Sequence, residues 1–116
     1  MDEKKIQSLL RNFAKERDWD KFHTLKNLAI SISIEASELL EVFQWENQDL
    51  KIKKDDQVLA RISEEVADIL LYLLRFSDLA NLDLEKICLE KISLNKKKYP
   101  IKLSKGLSVK YTKLKR

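Results

Sequence analysis

Ala29-Ile-Ser-Ile-Ser-Ile34 alternates apolar and polar residues, and taken alone it reads as a half-buried β-strand. The window around it reverses that reading. Leu25, Leu28, Ala29, Ile32, Ala36, Leu39, Leu40 and Phe43 keep a spacing of three and four over successive turns, the pattern of an amphipathic helix. A helix is therefore expected over Leu25–Trp45, with Thr24 as its N-cap. Ile30 and Ile34 fall on the flank opposite the stripe, so this helix is apolar on more than one side. A small surface helix has no use for a second apolar face; a subunit interface does.

The flanking sequence repeats the helical period. Upstream, Ile6, Leu9, Leu10 and Phe13 form a stripe, with Asp2 and Glu3 near the positive helix start. Arg17-Asp-Trp-Asp-Lys-Phe-His23 breaks it as a short ordered connection. Downstream, Glu46–Lys54 is polar, and Asp55 and Asp56 suit a helix start. Val58, Leu59, Ile62, Val66, Ile69, Leu73 and Phe76 give the third stripe, with Leu71 and Leu74 off to its side. Asn81-Leu-Asp83 is a turn with Asp83 as N-cap, and Leu84, Ile87, Cys88 and Ile92 give the last stripe, stopped by Pro100. Four helices with short connections predict an all-α fold, a four-helix bundle over residues 1–100 followed by a tail, 101–116.

Composition narrows the class. At 116 residues, 44% hydrophobic and 36% charged, the chain fits one globular domain. No apolar run reaches membrane-span length, the N-terminus has no signal-peptide character, and the single Cys88 excludes an intrachain disulfide framework. A cytoplasmic location is the expectation. The net charge of +4 hints at nucleic acid, but six of the 23 basic residues lie in the acid-free tail. The body keeps 17 basic against 19 acidic residues. A nucleic-acid partner is therefore not expected.

Two acidic words stand on the two central helices, Glu35-Ala-Ser-Glu38 and Glu65-Val-Ala-Asp68. Residues three apart share a helix face, so each word presents a carboxylate pair. Asn27, Ser31, Glu35, Glu38, Val42 and Trp45 lie on one arc, and Arg61, Glu65, Asp68 and Tyr72 form the matching arc. Four carboxylates converging beside an apolar core repel one another unless a cation separates them. An all-oxygen set suits Mg²⁺, Mn²⁺ or Ca²⁺. A di-iron bundle would need Glu-x-x-His words, and the one histidine, His23, lies outside both helices. Mg²⁺ normally works with phosphates, which points to a nucleotide or other polyphosphate. Lys91, Asn95 and Lys98 recur on one side of the last helix and could meet those phosphates. Trp19, Phe22, Trp45, Tyr72 and Tyr99 lie near helix ends or within the acidic arcs, where flat rings can stack on a base.

These residues carry a resemblance. Glu16-Arg-Asp-Trp-Asp-Lys-Phe-His23, Glu35-x-x-Glu38-Leu, Phe43-Gln-Trp45, Glu65-x-x-Asp68-Ile-Leu-x-Tyr72-Leu, Asn95-x-x-x-Tyr99-Pro100 and Lys110-Tyr-Thr-x-Leu114 resemble, in order, the MazG-like all-α nucleotide pyrophosphohydrolases, and within them the dCTP pyrophosphatase branch. The resemblance implies Mg²⁺, or Mn²⁺, on Glu35, Glu38, Glu65 and Asp68. It implies hydrolysis of a dNTP, dCTP or a 5-modified dCTP before others, to the monophosphate and pyrophosphate. It implies that Trp19, His23 and Trp45 form the base pocket, with Tyr72, Lys91, Asn95 and Tyr99 near sugar and phosphates. It also implies a homo-oligomer, a tetramer or a dimer. One position departs: mammalian relatives have a histidine in the first helix where this chain has Leu10. Two other readings stand beside it, a helical scaffold whose basic tail docks on nucleic acid and a related hydrolase of another nucleotide such as dUTP.

Overall fold

The structure, a computed structural model, describes residues 1–44 and 57–115. Among them are five α-helices and no strand: α1 (Glu3–Glu16), α2 (Leu25–Val42), α3 (Gln57–Leu79), α4 (Leu84–Lys98) and the short α5 (Ile101–Ser104). Single 3₁₀ turns fall at Asp20–Phe22 and Tyr111–Lys113. The all-α expectation is met, and Ala29–Ile34 is helical throughout. Trp45, the polar connection and the Asp55–Asp56 helix start lie outside the described residues.

Local chemistry sets the boundaries. The side chains of Asp2, Thr24 and Asp83 accept hydrogen bonds from the backbone N–H groups of Lys5, Asn27 and Lys86, each at 3.1 Å, and so satisfy donors that a helix start leaves unpaired. Asp18 and Asn81 adopt φ of 56° and 57°, the left-handed region that short polar side chains tolerate where a helix ends. α4 ends at Tyr99, whose N–H returns to the Asn95 carbonyl just before Pro100.

The chain divides into two compact units, Met1–Asn81 and Leu82–Arg116. In the first, α3 is central, packing against α2 along one side and α1 along another. Its fully buried side chains are Ala14, Leu28 and Leu74. Leu74 corrects the reading of α3: placed off to the side by the stripe count, it is 0% exposed, whereas Val66 and Leu73 of the stripe are 49% and 39% exposed. The reason is α1. Gln7 Nε2 donates to the Leu74 carbonyl at 3.0 Å, so α1 covers the flank that the period alone leaves open. Ile30 and Ile34 remain exposed, as their flank position implies. In the second unit, the Tyr111 N–H donates to Tyr99 Oη at 3.3 Å, and the two rings meet edge to face. No helix among the described residues is long and apolar enough to cross a membrane.

Candidate active site

The α2–α3 packing brings three of the four carboxylates together. One oxygen from each of Glu35, Glu38 and Glu65 lies within 4.8 Å of the others, and all three residues are half-buried. Glu35 Oε2 and Glu65 Oε2 are shielded from solvent and have no hydrogen-bond partner. Ionised carboxylates are acceptors only, so two of them facing each other cannot satisfy one another. A proton on one of them, or a cation between them, would resolve the conflict.

The protonation state shows the same strain. Burial, the largest cause, raises the Glu35 pKa to about 7, helped by the Glu65 and Glu38 carboxyls set against it and by the charges of Glu38 and Asp68. Burial likewise raises Glu65, opposed by the neighbouring Glu35 carboxyl and reinforced by Glu38 and Asp68. Both shifts favour a proton retained by the pair; a divalent cation would answer both orphaned oxygens at once. The donor set is all oxygen, which fits Mg²⁺ or Mn²⁺ and gives zinc nothing soft to bind.

Asp68 is exposed and stands in the wall of an adjoining cavity of about 450 Å³. Ile6, Leu9, Leu10, Phe13 and Leu71 make that wall mostly apolar, and Trp19, His23, Tyr72 and Arg75 complete it. The whole of the first helical stripe, Leu10 included, thus lines a cavity rather than a core. Phe13 and Trp19 meet edge to face with centroids 5.6 Å apart, and Trp19 meets His23 in the same way at 6.4 Å. Trp19, His23, Tyr72 and Asp68 therefore share one cavity. Lys91, Asn95 and Tyr99 lie in the second unit, and Trp45 is outside the described residues.

Sequence reasoning missed Arg75 and Asp20. Arg75 is buried in α3 at 6% exposure, and its Nη2 donates to Asp20 Oδ1 at 2.8 Å while its Nε donates to His23 Nδ1 at 3.1 Å. The signal was present, because Arg61, Glu65, Asp68 and Tyr72 continue at the same spacing to Arg75. Stopping that arc at Tyr72 hid the residue.

Comparison with known proteins adds to this geometry. The family model of the MazG-like family matches residues 30–114. The rat dCTP pyrophosphatase 1 is 36% identical over 113 residues, covering 96% of this chain and 66% of that protein. The human dCTP pyrophosphatase 1 is 35% identical over 111 residues, covering 94% and 65%. The chain thus spans just under two thirds of the length of these curated relatives. A crystal structure of a pyrophosphatase from Archaeoglobus fulgidus DSM 4304 superposes with a TM-score of 0.70 at 41% identity, covering 84% of this chain and 91% of that one.

Proposed function

The chain belongs to the MazG-like family, and from that premise we propose that it is a nucleotide pyrophosphohydrolase that hydrolyses a dNTP, dCTP or a 5-modified dCTP first among them, to the monophosphate and pyrophosphate. The observation that carries the reading is the meeting of Glu35, Glu38 and Glu65 with two buried, unpartnered oxygens, beside a cavity large enough for a nucleobase. The dCTP pyrophosphatase names of the mammalian relatives and the pyrophosphatase from Archaeoglobus support the same reaction class.

Glu35, Glu38 and Glu65, with Asp68 at the cavity wall, would hold Mg²⁺. Such an ion supplies charge neutralisation on the phosphates and acidifies a water for attack. The protein's own part is to orient. A carboxylate of this cluster accepts the water's proton as the new P–O bond forms, and the phosphoanhydride bond breaks to release pyrophosphate. The edge-packed rings of Phe13, Trp19 and His23 hold a base by stacking and shape. Lys91, Asn95 and Tyr99 are assigned to sugar and phosphates, and Trp45 to the base, on the strength of the sequence motifs. Leu10 makes the cavity wall more apolar than a histidine there would, which favours a base carrying an apolar substituent.

The working form is a homo-oligomer, a tetramer or a dimer, located in the cytoplasm. Ile30 and Ile34 support assembly, since at 47% and 52% exposure they present an apolar flank to solvent. The decisive experiment is a turnover panel of canonical and 5-substituted nucleoside triphosphates with Mg²⁺, scored for pyrophosphate. Absence of turnover across the panel would leave a helical scaffold.

A further inference from the structure

A buried guanidinium inside a small helical unit is costly unless all of its donors are met. Arg75 has two hydrogen bonds and a longer ion pair, in an unusual arrangement. Nη2 pairs with Asp20 at 2.8 Å, Nη1 lies 3.9 Å from Asp78 Oδ2, and Nε donates to His23 Nδ1 at 3.1 Å. Asp78 is itself held by Arg11 at 2.7 Å, so the guanidinium has little freedom to turn away. A carboxylate partner for Nε would have neutralised more charge. The fold instead spends that donor on an imidazole in the cavity wall.

The chemistry of that bond is one-sided. Arginine carries donors and no acceptor, so the ring nitrogen facing it must be the bare one. The neutral ring then keeps its proton on Nε2, the only polar atom left for a ligand. We propose that Arg75 is a positioning residue that holds the chain's single histidine as the neutral Nε2–H tautomer, so that His23 offers a ligand in the cavity a hydrogen-bond donor and never an acceptor. Burial and the Arg75 charge, in that order, lower the His23 pKa against the pull of Asp20, which keeps the second proton off. The ligand class that fits is a ring with an acceptor on its edge, a carbonyl oxygen or an unprotonated ring nitrogen of a nucleobase. A base edge offering only donors would be refused. This ligand role rests on the nucleotide reading of the cavity; the tautomer does not.

The single histidine makes the test direct. The full chain, labelled with ¹⁵N in histidine and kept in Mg²⁺ at neutral pH, should show one protonated nitrogen, Nε2, and one bare nitrogen, Nδ1, with no averaging. Arg75→Lys, which keeps charge but loses the planar fork, should average the two tautomers. It should also bind dCMP about tenfold more weakly, the loss of one hydrogen bond, and raise KM for dCTP with kcat little changed. Asp20→Asn keeps the guanidinium and should keep the tautomer, so it serves where Arg75→Lys does not fold. An Nδ1–H or averaged ring in the unmutated protein overturns the proposal, as does an unaltered tautomer in folded Arg75→Lys. Saturating dCMP should shift Nε2 and leave Nδ1 bare. Imidazole signals that ignore dCMP would sink the nucleotide reading of the cavity, while the free-protein spectrum still decides the tautomer.

Discussion

Glu35 on α2 and Glu65 on α3 come within 4.8 Å of each other through one carboxylate oxygen apiece, and each buries an oxygen that has no hydrogen-bond partner. Residues 30 apart in the chain thereby share a single electrostatic problem, which a proton solves poorly and a divalent cation solves well. The proposed chemistry grows from that relationship.

The first consequence is a pH dependence of stability. The Glu35 pKa is about 7 in the folded chain against an ordinary 4.5, so between those values the folded state binds the extra proton. Metal-free protein should therefore lose stability as pH rises through that window and level off above it. Saturating Mg²⁺ should abolish the trend by replacing the proton. Thermal melts of the wild type and Glu35→Gln, with EDTA and with Mg²⁺, check the sign. A wild type whose metal-free melting temperature climbs relative to Glu35→Gln from pH 5 to 7 contradicts it.

Removing a charge from the cluster should separate activity from folding. Glu38→Gln and Asp68→Asn are expected to cut Mg²⁺-dependent turnover by about a hundredfold or more while leaving the helical circular dichroism intact. In EDTA, Glu38→Gln should melt no lower than wild type, because it relieves repulsion. Near-normal turnover in either variant would remove that residue from the mechanism.

Trp19 is half exposed, propped on edge by Phe13 and His23. Trp19→Ala should weaken nucleotide binding by about 1–3 kcal/mol, the range for loss of a stacking ring. Steady-state kinetics should register this chiefly as a raised KM. An unchanged KM would place the base elsewhere.

Leu74 is the cleanest stability probe in the first unit. Leu74→Ala removes a fully buried side chain at the α1–α3 contact and should cost about 2–5 kcal/mol. Leu73→Ala, one residue away but 39% exposed, should cost clearly less in a monomeric background. Urea unfolding of the pair measures the difference; equal losses would mean that Leu73 is covered in the working assembly.

Ile30 and Ile34 test assembly. Ile30→Asp with Ile34→Asp should shift the protein to a smaller species in light scattering without loss of helix content, since neither side chain belongs to the buried core. A wild type that is already monomeric would dispose of the oligomer.

Much was written in the order of residues. A 3.6-residue period over Leu25–Phe43 settles helix against strand, because local backbone geometry dictates which side chains share a face. Thr24 and Asp83 announce helix starts because capping needs only neighbours in sequence. The Glu-x-x-Glu and Glu-x-x-Asp words show paired carboxylates for the same local reason. Tertiary packing alone decided the rest. Burial of Leu74 depends on α1 crossing a flank that the period marks as open. The meeting of Glu35 with Glu65, and the hold of Arg75 on His23 from 52 residues away, depend on which helix faces are pressed together. Periodicity says what each helix can present; only the packing of α3 between its neighbours says to whom, and that pairing brings separate charges together as a candidate site.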